Sequence, residues 1–189
     1  MRKVMMFNMV SLDGFFEGSS QEIDWHVVDE EFNQYAAEQF NTIETLLFGR
    51  ITYLLMADFW PTPTAVEEDP LIAKLMNETA KIVFSRTLES AGWQNTTLIK
   101  GDAVEEVRKL KQLPGREMMI FGSGKLVSSL APLGMIDEYR FMVNPVVLGS
   151  GNPLFIGIKD RLHLKLMDAK SLSSGNVLLT YQPDSGEMK

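Results

Sequence analysis

The clearest pattern along the chain is a nearly unbroken apolar run, Val4-Met5-Met6-Phe7-Asn8-Met9-Val10, that stops at the turn signal Ser11-Leu12-Asp13-Gly14. A short run of this kind predicts a strand covered on both faces, as in the middle of a parallel sheet. The period then changes. Phe32, Tyr35, Ala36, Phe40 and Ile43 recur at helical spacing and predict an amphipathic helix over about residues 29–41. Further strands are expected at 45–48, 81–85, 96–100 and 118–121. They alternate with helices at 52–58, 70–79 and 102–113, and with one marked by Leu126, Val127 and Leu130. Asp69-Pro70 supplies an N-cap followed by proline at the first helical position, and Asp102 with Glu105 makes a capping-box-like start.

Beyond Ile136 the helical signal fades. Strands are expected at 139–143, 162–167 and 176–181, with Leu162, Leu164 and Leu166 alternating against His163 and Lys165, so that His163 faces solvent. These strands should be antiparallel or at an edge. The glycine-containing apolar stretch 145–155 reads as a long loop packed against another part of the molecule, Pro61-Thr62-Pro63 as part of a loop, and the tail after Pro183 as frayed. The expectation is an α/β fold: a mixed, mostly parallel central sheet with helices on both faces and antiparallel C-terminal strands. At 189 residues the chain is expected to form a single domain over 1–189.

Composition narrows the chemistry. A net charge of −7 without a basic run argues against a nucleic-acid partner. The absence of cysteine removes disulfides, thiolate metal sites and cysteine nucleophiles. His26 and His163 lie too far apart in sequence and context to suggest a metal site, and the scattered methionines read as gap-filling core. The first apolar run is too short for a signal or a membrane span, so a cytoplasmic protein is expected.

In open α/β sheets ligands bind beyond the carboxyl ends of the strands. Here those positions hold Gly49-Arg50, Ser85-Arg86 and Gly122-Ser123-Gly124-Lys125. Small residues, hydroxyls and cations in these places suit a phosphorylated dinucleotide, and Arg50 stands where an acidic residue would receive a free ribose hydroxyl, which favours NADPH over NADH. Each segment taken alone is equally a plain turn. Gly122 to Lys125 is neither a Walker A loop, which would need glycine in place of Met119 and Ser or Thr in place of Leu126, nor a full Gly-x-Gly-x-x-Gly fingerprint, because Val127 occupies the third glycine position.

The order of segments resembles the dihydrofolate-reductase-like family, in its branch related to the reductase domain of the bifunctional riboflavin-biosynthesis deaminase-reductase. The matching pieces are Val10-Ser11-Leu12-Asp13-Gly14, Phe48-Gly49-Arg50-Ile51-Thr52-Tyr53, Lys81-Ile82-Val83-Phe84-Ser85-Arg86-Thr87-Leu88, and Gly122-Ser123-Gly124-Lys125-Leu126 with Asp137-Glu138. A last piece, Asn144-Pro145-Val146-Val147-Leu148-Gly149-Ser150-Gly151-Asn152-Pro153-Leu154-Phe155, is the most specific to that branch. The His/Cys zinc pattern of the deaminase half does not occur.

The resemblance implies an NADPH-dependent reductase. Gly49, Arg50 and Thr52 would lie near the phosphates, Ser85 and Arg86 at the 2′-phosphate, and Gly122, Ser123, Gly124, Lys125 and Leu126 over the pyrophosphate. The nicotinamide would rest against the end of the first strand, at Met9, Val10 and Ser11. A heterocyclic substrate would stack beside it, in a pocket lined by the first long helix with Phe32, and Asp13, Trp25, Asp58 and Trp60 are the other candidate contacts. Each has a plainer alternative: Asp13 as a turn residue, Asp58 and Trp60 as surface loop, Trp25 with Phe15 and Phe16 as core. Asp29 and Glu30 are candidates for the carboxylate that orients and helps to protonate the ring, although acidic residues are favoured at a helix N-terminus on dipole and capping grounds alone. Related reductases imply a homodimer. The expected reaction is hydride transfer to a C=N or C=O group of a pterin-, pyrimidine- or ribosylaminopyrimidine-type compound. A non-catalytic nucleotide-binding module and a true dihydrofolate reductase are the alternatives.

Overall fold

A computed structural model describes residues 1–184, so the rest of the expected frayed tail lies outside the described residues. The apolar run forms β1 (Val4–Val10), buried along its whole length with its two faces in separate core clusters and parallel neighbours at its edges: β6 (Glu117–Phe121) on one side and β7 (Glu138–Val143) on the other. Outward from β6 follow β3 (Ile43–Gly49), β4 (Ala80–Phe84) and β5 (Thr96–Ile99), all parallel. On the far side, β10 (Val177–Pro183) pairs antiparallel with β7 and with the edge strand β9 (Leu164–Ser171). The eight strands run in the order β5-β4-β3-β6-β1-β7-β10-β9, which is the expected mixed sheet with antiparallel C-terminal strands.

Alternation along the strands divides the core in two. Met5, Phe7, Phe48 and Met119 face one side, where they meet Phe32 of α1 (Glu30–Gln39), Tyr53 of α2 (Arg50–Phe59), and Ile72 and Met76 of α4 (Pro70–Glu78). Val4, Met6, Leu47 and Ile120 face the other, against Val107 of α5 (Ala103–Gln112) and Val127 of α6 (Gly124–Leu130). The caps match the sequence signals: Asp69 accepts a hydrogen bond from the Ile72 amide, and Asp102 from the amides of Val104 and Glu105.

The other end of α4 is closed from outside the helix. Lys81, 1% exposed, donates to the carbonyls of Met76, Asn77 and Thr79 at 2.8, 3.1 and 2.6 Å, and its ammonium lies 4.4 Å from the centre of the Trp93 ring. Burial draws its pKa down to about 8, yet three carbonyl acceptors and an aromatic face favour the ammonium form. At neutral pH the group is a charged cap on the negative end of the helix dipole.

Three expectations change. The segment after Pro61 is not all loop: Thr62 accepts from the Ala65 amide and starts a short helix, α3 (Pro63–Glu68). The stretch 145–155 contributes β8 (Asn152–Pro153), which pairs with β2 (Phe15–Glu17) in a second small sheet. In the last third, β9 starts at Leu164 and runs to Ser171, and its register against β10 shifts between Thr180 and Tyr181. Leu162 and Leu164 therefore pack on the core, while Leu166 is 50% exposed beside Met167 and not on a buried face.

Candidate active site

The site begins where two paired strands part. β6 pairs with β1 as far as Phe7 and Phe121, and then turns away while β1 continues to Val10. The turn depends on Gly122, whose φ of +62° is a left-handed conformation and whose Cβ, if present, would sit 2.9 Å from Thr52 Cγ2. Ser123 follows, also left-handed at φ +58°. Its amide donates to Thr52 Oγ1 at 3.0 Å, and its hydroxyl accepts from the Gly49 amide at 2.9 Å. The loops after β3 and β6 are thus stitched together, and two helix N-termini, those of α2 and α6, share one cleft.

That cleft has a volume of about 480 Å³. Gly49, Arg50, Thr52, Ser85, Ser123, Gly124, Lys125 and Leu126 line it, joined by Phe16, Glu17 and Asn152. Neither α2 nor α6 has a side chain capping its N-terminus; the Leu126 amide donates to the Ser123 carbonyl at 2.9 Å, and the first-turn amides ahead of it, with those of α2, are open to an anion beside Arg50 and Lys125. This donor set fits the phosphates of a dinucleotide. The hydroxyls of Thr52 and Ser123 are committed to holding the loops. Ser85 Oγ accepts from the Leu88 amide at 2.9 Å, and the neighbouring Arg86 is exposed, 3.9 Å from the Asp102 carboxylate, outside the cleft lining.

On the opposite face lies a larger cavity of about 700 Å³. Phe7 and Met9 of β1 form its floor with Leu46 and Met119, and Phe32, Phe40, Phe59, Trp60 and Ile72 wall it. Phe32 and Trp60, two of the expected contacts, thus line this cavity. Met9 faces this cavity and not the cleft, and Val10 lines neither.

Two polar side chains on the cavity wall were not singled out by the sequence reading. His26 Nε2 and the Tyr35 hydroxyl are buried without a hydrogen-bond partner among the described residues. Burial draws the His26 imidazole down to about 4, against a smaller opposing pull from Asp24, so it is neutral at pH 7. Burial likewise pushes the Tyr35 phenol up to about 12. A buried polar atom without a partner is costly and is a natural place for a ligand to hydrogen-bond. The signal for Tyr35 was its place on the apolar face of α1, where its hydroxyl is the odd group. His26 carried none, because the loop that holds it is fixed from distant strands. Asn144 Oδ1 accepts from the Val27 amide at 2.8 Å, and Asn176 Nδ2 donates to the Val27 carbonyl at 2.9 Å, with both asparagines fully buried.

The remaining expected contacts lie elsewhere. Asp13 sits outside both cavities and anchors the loop after β7: it accepts from the Ser11 hydroxyl at 2.6 Å and from the Leu148 and Gly149 amides at 3.1 and 2.7 Å, bonds that hold its carboxyl below the usual value. Trp25 packs edge-on against the His26 ring, behind the wall. Asp58 is exposed on α2. Asp29 caps α1 by accepting from the Phe32 amide at 2.8 Å, Glu30 is exposed, and neither lines the larger cavity.

A mostly parallel sheet that opens beside its central strand, with a cleft bearing Arg50 and Lys125 on one face and an aromatic cavity on the other, places the chain among dihydrofolate-reductase-like folds. The dihydrofolate reductase of Enterococcus faecalis complexed with NADP(H) superposes with a TM-score of 0.65 at 16% identity, covering 97% of each chain. The chain belongs to the RibD C-terminal domain family, which matches residues 2–178. The uncharacterized protein YyaP of Bacillus subtilis (strain 168) is 36% identical over 180 residues, 95% of this chain and 94% of that protein. The diaminohydroxyphosphoribosylaminopyrimidine deaminase/5-amino-6-(5-phosphoribosylamino)uracil reductase of Thermotoga maritima superposes at TM-score 0.70 and 17% identity, covering 97% of this chain and 57% of that one. Among the described residues no helix is long and apolar enough to cross a membrane.

Proposed function

We propose that this chain is an NADPH-dependent reductase that transfers hydride to a C=N or C=O group of a heterocyclic small molecule. The observation that carries the reading is the opening beside β1: the cation-bearing cleft and the aromatic cavity lie on opposite faces of the sheet, and β1 runs past the end of β6 between them. Bound there, a nicotinamide supplies the hydride. The chain's own residues do the rest. Arg50, Lys125 and the open amides of α2 and α6 bind the phosphates. Ser85 and Arg86 approach the 2′-phosphate. Phe32, Phe59 and Trp60 exclude water around the acceptor ring, and neutral His26 and Tyr35 offer it hydrogen bonds.

The test is thermal stabilisation by NADPH and NADH in wild type, Arg50→Ala and Arg86→Ala, followed by loss of reduced-nicotinamide absorbance with a panel of pterins, pyrimidines and carbonyl compounds. NADPH should stabilise the wild type more than NADH does; Arg86→Ala should shrink that preference, and Arg50→Ala should weaken stabilisation by both. A preference intact in both variants would refute the phosphate assignment. The placement of Asp29 and Glu30 away from the cavity favours a second reading, a nucleotide-binding module without turnover, which NADPH binding without oxidation of any panel member would support. The homodimer implied by the family resemblance finds support in the exposed side chains of Leu166 and Met167 on edge strand β9, and light scattering reads it directly.

A further inference from the structure

The two cavities differ in electrostatic character, and under the reading above this bears on the substrate. The cleft carries Arg50 and Lys125 and two helix N-termini without side-chain caps. The larger cavity is lined, among the described residues, by no lysine or arginine, and its charged side chains are Asp24, Glu68 and Asp69. Its helix N-termini are also spoken for. α1 and α4 both contribute to the wall, and at each the place an anion would take is filled by a carboxylate of the chain itself, Asp29 bonded to the Phe32 amide at 2.8 Å and Asp69 to the Ile72 amide at 2.9 Å. Proteins hold phosphate esters with guanidinium or ammonium groups, or with open helix amides. This cavity offers neither. What it offers is aromatic wall, two unpartnered uncharged polar atoms on His26 and Tyr35, and acidic side chains that attract amino-bearing or protonated rings.

We propose that the compound reduced by this chain carries no phosphate, and that it is an uncharged or protonated, amino-substituted aromatic heterocycle held whole in the larger cavity. The substrate class then differs from the phosphoribosylated uracil in the name of the Thermotoga maritima protein, although the fold is shared. The proposal rests on the reductase reading for the word substrate, but the ligand class can be judged by binding alone.

The test is a fluorescence titration of the full chain with 6-hydroxymethylpterin and with its monophosphate ester, a pair that differs only in the phosphate. The unphosphorylated pterin should bind at least about tenfold more tightly. Glu68→Lys, a change at an exposed position, should narrow that gap by roughly threefold or more, chiefly by improving binding of the ester. The proposal is overturned if the ester binds as well as the free alcohol, if neither pterin binds, or if the gap is unchanged in both Glu68→Lys and Asp24→Lys. Thermal stabilisation by NADPH, measured on the same protein, reports the cofactor reading separately. Its absence with the pterin preference intact would overturn the cofactor assignment and support the ligand class.

Discussion

Acidification should weaken this fold through one side chain on the cavity wall. His26 is held neutral by burial, its pKa drawn from 6.5 to about 4. As pH falls through 6.5 the unfolded chain takes up a proton there, while the folded chain does not until about pH 4. The stability associated with the neutral imidazole is therefore complete above 6.5 and is lost progressively between 6.5 and 4. At about 1.4 kcal/mol per pH unit the full gap sets a ceiling of roughly 3 kcal/mol, of which about 2 kcal/mol is lost by pH 5. Partial exposure of the residue reduces this to about 1–2 kcal/mol. Asp24 opposes the effect, and the edge of the Trp25 ring adds no charge. Urea denaturation of wild type and His26→Gln at pH 7 and pH 5 isolates the term, since the carboxylates of Asp13 and Glu31, both held below their usual values, are common to the two proteins. Wild type should lose about 1–2 kcal/mol more than the variant. Equal losses, or a larger loss in His26→Gln, would show that the imidazole is not buried neutral and would remove it from the cavity wall as an uncharged hydrogen-bonding group.

Other perturbations separate support from recognition. Lys81→Met leaves the carbonyls of Met76 and Thr79 without their side-chain donor and that of Asn77 with Asn95 alone and should cost about 3 kcal/mol in urea unfolding; a loss under roughly 0.5 kcal/mol would mean that α4 does not need this cap. Gly122→Ala adds a left-handed penalty of about 1–2 kcal/mol and forces Thr52 aside, so NADPH affinity should fall together with stability. Tyr35→Phe removes a buried hydroxyl that has no partner and should leave stability equal or raise it by about 1 kcal/mol while weakening pterin binding; a destabilised variant with unchanged binding would contradict that role.

Much of the sheet was legible because local chemistry and tertiary context agree there. The run at β1 is continuous because both of its faces are covered, and Asp69 and Asp102 signal helix starts because they satisfy amides in their own first turns. The β2–β8 pair was not legible. Two or three residues leave no period to detect, and the pairing joins segments more than a hundred residues apart. Among the candidate site residues, Gly49, Arg50 and Ser123 to Leu126 come together in one cleft because they sit at predictable positions after strands. Of the candidate substrate contacts, only Phe32 and Trp60 line the larger cavity. An acidic residue opening a helix looks the same in sequence whether it caps or catalyses, and only the bond from the Phe32 amide shows that Asp29 caps. His26 acquires its place from Val27, which is held by asparagines well over a hundred positions away.

That clamp on Val27 ties the cavity wall to the last strands of the sheet. Asn144 follows β7 and Asn176 precedes β10, so the loop bearing His26 is held by one bond from the body of the sheet and one from the C-terminal hairpin, and it loses the second when the hairpin undocks. Opening of the hairpin then loosens the wall, and a compound that grips the wall should slow the opening of strands it never touches. Amide hydrogens of β10, remote from the ring that is bound, become a direct gauge of occupancy in the cavity.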